Sequence, residues 1–267
     1  MSMVENTFAD HTAIVTGAGE GIGLEIAKQL VQQGARVIVN DIDPVKTEQA
    51  IQTIDPVGNR SFGCAGDVAD VTVVYGLVEA AVTHFDGVDM VVCNAGVTLW
   101  NSFFDYKPVD FERVLSVNLG GSFFLAQAAA RQMRQQGRGG RIVFMSSVSG
   151  HQAIEYLSAY AMTKAALEML ARQLIIELSP FNITINTVAP GATVTPRNLA
   201  DDPNYEAVWG KVTPTGRPAF VEDIAHAVLF MLSPLSSQIT GQSLVIDGGW
   251  TSVSQAPALD FVEQKKE

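Results

Sequence analysis

Short apolar segments alternate with longer segments of helical periodicity along most of the chain, and this alternation constrains the fold more than any other feature. Seven apolar segments are predicted strands: TAIVTG, ARVIVND, RSFGCAGD, VDMVVCNAG, GRIVFMSS, ITINTVAPG and QSLVIDGG. Continuous apolar strands are typical of a sheet that is covered on both faces. Helices are predicted between them, at about 21–33, 44–54, 70–85, 110–136, 158–179 and 222–233. The pattern predicts an α/β protein with a parallel sheet of about seven strands and helices on both faces.

No linker divides this pattern, so residues 1–267 are predicted to form a single domain. Residues 192–220 are richer in Pro, Asp and Thr and lack a strand pattern. An insertion or mobile lid over the substrate would have this composition. The tail at 251–267 ends in charges, and we expect it to be partly disordered or to pack on another subunit.

Charge and cysteine content limit the classes of partner. A formal net charge of −11 disfavours a nucleic-acid partner, and an anionic substrate would need local basic residues, which are few. Apolar runs fall short of the roughly 18 residues of a membrane helix, and the first residues lack a signal-peptide pattern. Cys64 and Cys93 are predicted to be buried free thiols outside any metal-ligand spacing. We therefore expect a cytoplasmic protein that binds neither a membrane nor a metal.

A glycine-rich segment, TGAGEGIG, follows the first predicted strand and opens the first predicted helix. Gly17, Gly21 and Gly23 are spaced G-x3-G-x-G, and Gly19 is an additional glycine. Glycines at such a turn let the backbone approach a pyrophosphate, to which the helix N-terminus offers free N–H groups. The segment predicts a dinucleotide-binding loop, and the alternative is a glycine-rich turn without a ligand.

An acidic residue ends the second predicted strand. Asp41 lies 24 residues after Gly17, near the offset at which a carboxylate binds the adenosine ribose of a dinucleotide. A carboxylate there would repel a 2′-phosphate, which favours NAD over NADP. The alternative role is a helix N-cap, for which Asp43 is better placed.

From about Thr12 to Gly249 the chain resembles the short-chain dehydrogenase/reductase family, which implies a Rossmann-type doubly wound fold. In NADP-dependent members Arg or Lys often stands at the position of Glu20, so the resemblance also favours NAD. The segments GDV, CNAG and PGATVT resemble cofactor-contacting segments of the family, although Cys93 replaces an Asn. The alternative role of Asp67 is to cap the helix that begins near Asp70. The resemblance implies these cofactor-binding residues: Gly17, Gly19, Glu20, Gly21, Ile22, Gly23, Asp41, Asp67, Val68, Asn94, Ala95, Gly96, Tyr160, Lys164, Pro190, Gly191, Thr193 and Thr195.

The segment YAMTK places a tyrosine and a lysine four residues apart. Tyr160 and Lys164 would share one side of a helix, where an ammonium lowers the pKa of a phenol. The spacing alone is weak, because an ordinary solvated helix face produces it as well. Ser147 lies 13 residues before Tyr160, the separation between the catalytic serine and tyrosine of the family. Ser146 and Ser149 are the competing serines, and alternation along the strand favours Ser147.

The resemblance implies four catalytic residues: Asn118, Ser147, Tyr160 and Lys164. Tyr160 would be the general acid/base, Ser147 would position the reacting oxygen, and Lys164 would hold the ribose and tune Tyr160. Asn118 matches the residue that holds a water in the proton relay of the family.

The implied reaction is the NAD-dependent interconversion of a secondary alcohol and its carbonyl. The 190–215 segment and the ending VIDGGWTSVS look most like the bacterial glucose and polyol dehydrogenases of the family. His151, Glu155 and Asn101 are candidates to bind a polyhydroxylated substrate. The alternatives are a β-ketoacyl-(acyl carrier protein) reductase and, outside enzymes, a dinucleotide-sensing scaffold. Family members are usually homotetramers that assemble on the two long helices and the last strand.

Overall fold

A computed structural model describes residues 7–253. The predicted tail therefore lies outside the described residues beyond Val253. The strands are β1 (Thr12–Thr16), β2 (Arg36–Asn40), β3 (Ser61–Gly63), β4 (Met90–Cys93), β5 (Gly140–Met145), β6 (Ile183–Pro190), β7 (Thr193–Val194), β8 (Ala219–Phe220) and β9 (Ser243–Ile246). The α-helices are α1 (Gly21–Gln32), α2 (Pro44–Ile54), α3 (Val71–Phe85), α4 (Pro108–Val114), α5 (Ser122–Gln136), α6 (Ser158–Leu178), α7 (Pro196–Asp201), α8 (Tyr205–Gly210) and α9 (Val221–Leu232).

Seven of the strands form one parallel sheet in the order β3-β2-β1-β4-β5-β6-β9. These are the seven strands that the apolar segments predicted, so the α/β fold class is confirmed. The order reverses between β1 and β4, where the crossovers turn to opposite sides. A crevice opens at such a switch point, at the carboxyl ends of the strands, and it is where ligands of this class of fold bind.

Alternate residues of each strand face opposite layers of helices. Val15 and Val143 pack in one core with α1 and α9, whereas their neighbours Ile14 and Ile142 pack in the other with α3, α5 and α6. Because side chains of a strand alternate between faces, one apolar run supplies both cores. The sheet is thus covered on both faces, as its continuous apolar strands indicate.

Two regions differ from the sequence-based expectation. The helix predicted at 110–136 is three pieces, because a π-helical stretch at Leu115–Gly121 separates α4 from α5. The segment at 192–220 carries α7 and α8 and is pinned at its ends by parallel pairing of β7 with β8. Two-residue strands are too short for a periodic signal, which is why the sequence did not predict them.

Among the smaller predictions, the cap at Asp43 and the burial of Cys93 are confirmed, and the burial of Cys64 is wrong. Asp43 caps α2 by accepting hydrogen bonds from the backbone N–H groups of Val45 and Lys46. Cys93 is buried, but Cys64 is only half-buried, because β3 is a three-residue edge strand covered less than the centre of the sheet. Within residues 7–253, no helix is both long and apolar enough to cross a bilayer.

Candidate active site

The glycine-rich loop after β1 has a backbone that other residues could not adopt without strain. Gly17 and Gly21 have φ of +60°, in the left-handed region that favours glycine. A Cβ on Gly23 would lie 2.2 Å from the carbonyl oxygen of Gly17. These glycines therefore make a tight concave turn, and Glu20, at the N-cap of α1, makes no side-chain capping bond. The first N–H groups of α1 are left to bind an anion, so the loop fits a pyrophosphate.

The segment after β4 fixes this loop. Asn94 donates hydrogen bonds from Nδ2 to the carbonyl oxygens of Thr16 and Gly17, each at 2.9 Å. The Oγ1 of Thr16 accepts from the backbone N–H groups of Asn94 and Ala95, each at 3.1 Å. Asn94 thus joins the two strands at the switch point. Thr16 is a site residue that the sequence analysis missed, since it carries no recognised motif.

The acidic residues of the predicted ribose pocket lie beside the same loop. Asp41 accepts from the backbone N–H of Gly19 through Oδ2 and from that of Asp43 through Oδ1, each at 3.1 Å. Its carboxylate is thereby oriented at the carboxyl end of β2. Glu20 pairs with Lys46 of α2 at 2.7 Å, and the pKa of Lys46 is raised chiefly by this hydrogen bond. The carboxylates of Asp41 and Glu20 and the ion-paired Lys46 thus surround the predicted position of the adenosine ribose.

The predicted adenine segment follows β3. Asp67 accepts from the backbone N–H of Ala69 at 3.0 Å and pairs with Arg113 of α4 at 2.5 Å. The cap of α3 is Asp70 instead, which accepts from the N–H of Thr72. Val68 is buried, and a Cβ on Gly121 would collide with it. Asp67 therefore does not cap the helix, and Val68 offers an apolar wall at that position.

Three of the four predicted catalytic residues, Ser147, Tyr160 and Lys164, line one cavity of about 190 Å³ at the carboxyl ends of β4, β5 and β6. The side chains of Ser147 and Thr98 line the same cavity and act on the phenol of Tyr160. Lys164 is 4% exposed, and its Nζ donates to the carbonyl oxygen of Met145 at 2.7 Å and lies 5.3 Å from the ring centre of Tyr160. The lining also includes these predicted cofactor residues: Ile22, Asn94, Gly96, Pro190, Gly191, Thr193 and Thr195.

Burial dominates the titration of this pair. It raises the pKa of Tyr160, against which hydrogen bonds from Ser147 and Thr98 and the charge of Arg197 act to lower it. Burial also lowers the pKa of Lys164 to about 8. The prediction that Lys164 lowers the pKa of Tyr160 is therefore not met in the protein alone. Lys164 donates to the carbonyl of Met145, and a pKa of about 8 still leaves it mostly charged at pH 7; the positive charge that lowers the pKa of the phenol is that of Arg197.

The two serines at the end of β5 take separate roles. Ser146 is buried and donates from Oγ to Oε1 of Glu168 at 2.6 Å. Ser147 acts on the phenol of Tyr160, and its Oγ accepts from the N–H of Ser149 at 3.2 Å. Alternation along the strand sends the two side chains to opposite faces. The geometry favours Ser147 as the serine at the reacting oxygen.

Asn118 lies inside the π-helical stretch and is fully buried. Its Oδ1 accepts from the N–H of Val97 at 2.8 Å, and its Nδ2 donates to the carbonyl of Val97 at 3.0 Å and to Oγ1 of Thr163 at 3.2 Å. The side chain therefore ties the segment after β4 to the residue next to Lys164. A role in a water relay remains a prediction.

The three predicted substrate residues are not among the described residues that line the cavity. His151 pairs instead with the buried Glu168, Nε2 to Oε1 at 2.9 Å, since the turn after Ser147 lays its ring against α6. Glu155 is exposed and hydrogen-bonds with the phenol of Tyr156. Asn101 donates from Nδ2 to the carbonyl of Asp105 at 3.4 Å. The side chains of all three residues therefore interact with neighbouring residues outside the cavity.

Residues of the segment after β4 and of the 192–220 segment line the substrate side of the cavity. Thr98 and Asn198 line the cavity. Asn198 donates from Nδ2 to the carbonyl of Thr193 at 2.9 Å, and its N–H donates to Oγ1 of Thr195. Arg197 donates from Nη2 to the carbonyl of Thr98 at 2.9 Å. The 192–220 segment, which we call the lid, thus reaches across the cavity, a contact between residues 99 apart that local pattern does not signal.

Comparisons with known proteins agree with this geometry. A family model described as enoyl-(acyl carrier protein) reductase matches residues 17–251. An L-rhamnose 1-dehydrogenase (NAD(P)(+)) of a Sphingomonas species is 39% identical over 243 residues, covering 89% of this chain and 95% of that protein. A structure of 7α-hydroxysteroid dehydrogenase complexed with NADH and 7-oxo glycochenodeoxycholic acid superposes with a TM-score of 0.86 at 34% identity, covering 93% of this chain and 98% of that one. A gluconate 5-dehydrogenase from Burkholderia cenocepacia, in complex with NADP and tartrate, has a TM-score of 0.86 at 31% identity, covering 94% and 99%.

Proposed function

The chain belongs to the short-chain dehydrogenase/reductase family, whose members use a nicotinamide dinucleotide, and from this premise we propose that it is an NAD(H)-dependent oxidoreductase. Its substrate would be a secondary alcohol of the sugar or polyol type, which it interconverts with the carbonyl. The observation that carries the proposal is that Ser147, Tyr160 and the buried Lys164 line one cavity, together with residues of the glycine-rich loop's helix and of the segment after β6.

The residues around the cavity divide the chemistry among them. The alcohol oxygen would lie between the hydroxyls of Ser147 and Tyr160, which hold it in place for reaction. Tyr160, as phenolate, removes the O–H proton, and the electron pair of the carbinol C–H bond leaves with its hydrogen as hydride. When bound, an oxidised nicotinamide supplies the hydride acceptor and a positive charge that favours the phenolate. The balance is R₂CHOH + NAD⁺ → R₂C=O + NADH + H⁺.

The loop and strand ends would hold the dinucleotide. Gly17 to Gly23 would take the pyrophosphate on the open N–H groups of α1, and Asp67 and Val68 would flank the adenine. Asp41 would accept from the ribose hydroxyls, and together with Glu20 it would disfavour a 2′-phosphate. These two carboxylates support NAD as the preferred cofactor.

The names of the relatives support the substrate class. Two of them are named for L-rhamnose and for gluconate, which favours a sugar-type alcohol here. A carrier-protein substrate is less favoured, because a chain with net charge −11 is a poor partner for an acidic carrier protein.

A homotetramer remains the expected assembly. Exposed apolar side chains lie on the two long helices, Phe123 and Phe124 on α5 and Met169 and Ile176 on α6. Contact between copies would bury these side chains. Light scattering coupled to gel filtration tests the number of copies.

The test of function is Tyr160→Phe, which keeps the ring and removes the proton-transfer group. We expect a loss of turnover of at least about a hundredfold, since a positioned acid/base contributes roughly 10²–10⁴ in rate. NADH binding, followed by fluorescence, should stay within about twofold. Tyr75→Phe, on the exposed side of α3, is the matched control and should keep full activity. Substantial NADH formation by Tyr160→Phe with a sugar or polyol panel would contradict the assignment.

A further inference from the structure

One of the two arginines of the lid, Arg197, is hydrogen-bonded across the mouth of the catalytic cavity. Arg197 follows the first residue of α7, and its Nη2 donates to the carbonyl oxygen of Thr98 on the opposite wall. Thr98 and Tyr160 line the same cavity, and the side chain of Thr98 and the charge of Arg197 both act on the phenol of Tyr160. The guanidinium is therefore close to the reacting oxygen, although its side chain is exposed.

No carboxylate among the described residues that line the cavity neutralises the guanidinium of Arg197. The described residues that line the cavity include neither Asp nor Glu. Lys164, the other cation, is 4% exposed and donates to Met145. The bond to Thr98 uses one N–H of Arg197, and the remaining N–H groups have no acceptor among the described residues. Arginine offers five donors in a planar fork, so donors remain for a ligand.

We propose that Arg197 binds a carboxylate of the substrate, so that the preferred substrates are hydroxy acids of the sugar-acid type rather than neutral polyols. This inference rests on the proposed function and deepens it. A guanidinium matches a carboxylate with two parallel hydrogen bonds. A dianionic phosphate would demand more positive charge than this mouth supplies. The net charge of −11 repels anions at long range, so an anionic substrate needs a local cation of this kind.

The test uses substrate pairs that differ only in charge. Aldonates of four to six carbons are compared with the matching alditols, for example D-gluconate with D-glucitol, by NADH formation. We expect a higher kcat/KM for the acid in at least one pair. Arg197→Met should lower the ratio of kcat/KM for the acid to kcat/KM for the alditol by roughly ten- to a hundredfold, the effect of losing hydrogen bonds to a charged group, because both substrates share any loss caused through the phenol of Tyr160. Arg197→Lys should restore part of the loss.

A matched control lies on the same lid. Lys211→Met removes an exposed positive charge after α8 and should leave both members of each pair unchanged. A second readout avoids turnover: titration calorimetry of D-gluconate into Tyr160→Phe saturated with NADH should show binding that Arg197→Met weakens by the same factor.

The outcomes separate this inference from the proposed function. Oxidation of alditols or other secondary alcohols without any preference for the acid overturns the inference and leaves the function. Equal losses for acid and alditol in Arg197→Met, a weakened dissociation constant for NADH, or a stronger preference for a phosphorylated polyol also overturn it. Absence of NADH or NADPH formation with every compound, including simple secondary alcohols, removes the proposed function and the inference with it.

Discussion

The cofactor preference can be reversed, we predict, through three side chains at the predicted ribose pocket. Glu20 neutralises Lys46 at 2.7 Å, and Asp41 lies beside the same loop. Glu20→Gln removes one negative charge and releases a lysine toward a 2′-phosphate. Asp41→Asn removes the other charge, and its amide oxygen still accepts from Gly19, so the loop keeps its anchor. The pair of changes should shift selectivity from NAD toward NADP.

The expected size of the shift in cofactor selectivity depends on how exposed the two carboxylates are. Two unit charges 4 Å apart interact by about 1 kcal/mol in water and about 4 kcal/mol near a protein surface. With 45% of its side chain exposed, Glu20 belongs at the low end, about 1 kcal/mol. Asp41 is half-buried and falls between the limits, at about 2 kcal/mol. Together they amount to about 3 kcal/mol, a shift of roughly 150-fold in the NAD/NADP ratio.

The assay is the ratio of kcat/KM for the two cofactors, supported by dissociation constants of NADH and NADPH from fluorescence. Lys46→Met in the Glu20→Gln background should cancel the gain due to Glu20. Asp43→Asn is the control, since it removes a nearby charge and Asn caps a helix equally well; its ratio should change by less than about twofold. If the double variant Glu20→Gln/Asp41→Asn keeps the wild-type ratio, the ribose pocket is not where these carboxylates lie.

Three further predictions concern the buried groups around the site. Burial lowers the pKa of Lys164 from 10.5 to about 8, so the folded state disfavours the charged lysine below pH 8 and loses that penalty as the pH rises to 10.5. The wild type, compared with Lys164→Met, should therefore gain about 3 kcal/mol in free energy of unfolding between pH 7 and pH 10.5. Denaturant titration at the two pH values measures this gain. Gly23→Ala places a Cβ against the carbonyl of Gly17, and NADH should bind roughly ten- to a hundredfold more weakly by fluorescence, with little change expected for Gly58→Ala if the clash is the cause. Glu168→Ala removes the nearer acceptor of the Ser146 hydroxyl, which keeps only the carbonyl of Lys164 at 3.2 Å, and it removes the partner of His151, so the free energy of unfolding should fall by about 1–3 kcal/mol. Glu168→Gln keeps an acceptor and should lose less; equal losses would show that these hydrogen bonds are not the cause.

Much of the fold could be predicted because its signals are local. Each strand of the large sheet is an apolar run, and the loop around Gly17 and the cap at Asp43 depend on neighbours in sequence. The spacing from Ser147 to Tyr160, on which the predicted catalytic pair depends, also falls within one strand-turn-helix unit.

The missed features depend on residues far apart in sequence. His151 looked like a pocket residue, but Glu168, on a facing helix, needs a partner for its buried carboxylate. The bond between Arg197 and Thr98 joins residues 99 apart and has no motif. The pKa of Tyr160 was missed for a related reason: a spacing of four residues says nothing of burial, which here outweighs the neighbouring charges.

The π-helical stretch around Asn118 has a consequence for how this helix can change in evolution. An α-helix turns by about 100° per residue, and a π turn accommodates one residue more than an α turn. Deleting one residue from 115–121 would let the segment become a regular α-helix while α4 and α5 keep their relative orientation, because the π turn absorbs the extra residue. The side chains within the stretch would change direction, and Asn118 would lose its bonds to Val97 and Thr163. The extra residue therefore serves the position of Asn118 and not the packing of α5 on the sheet.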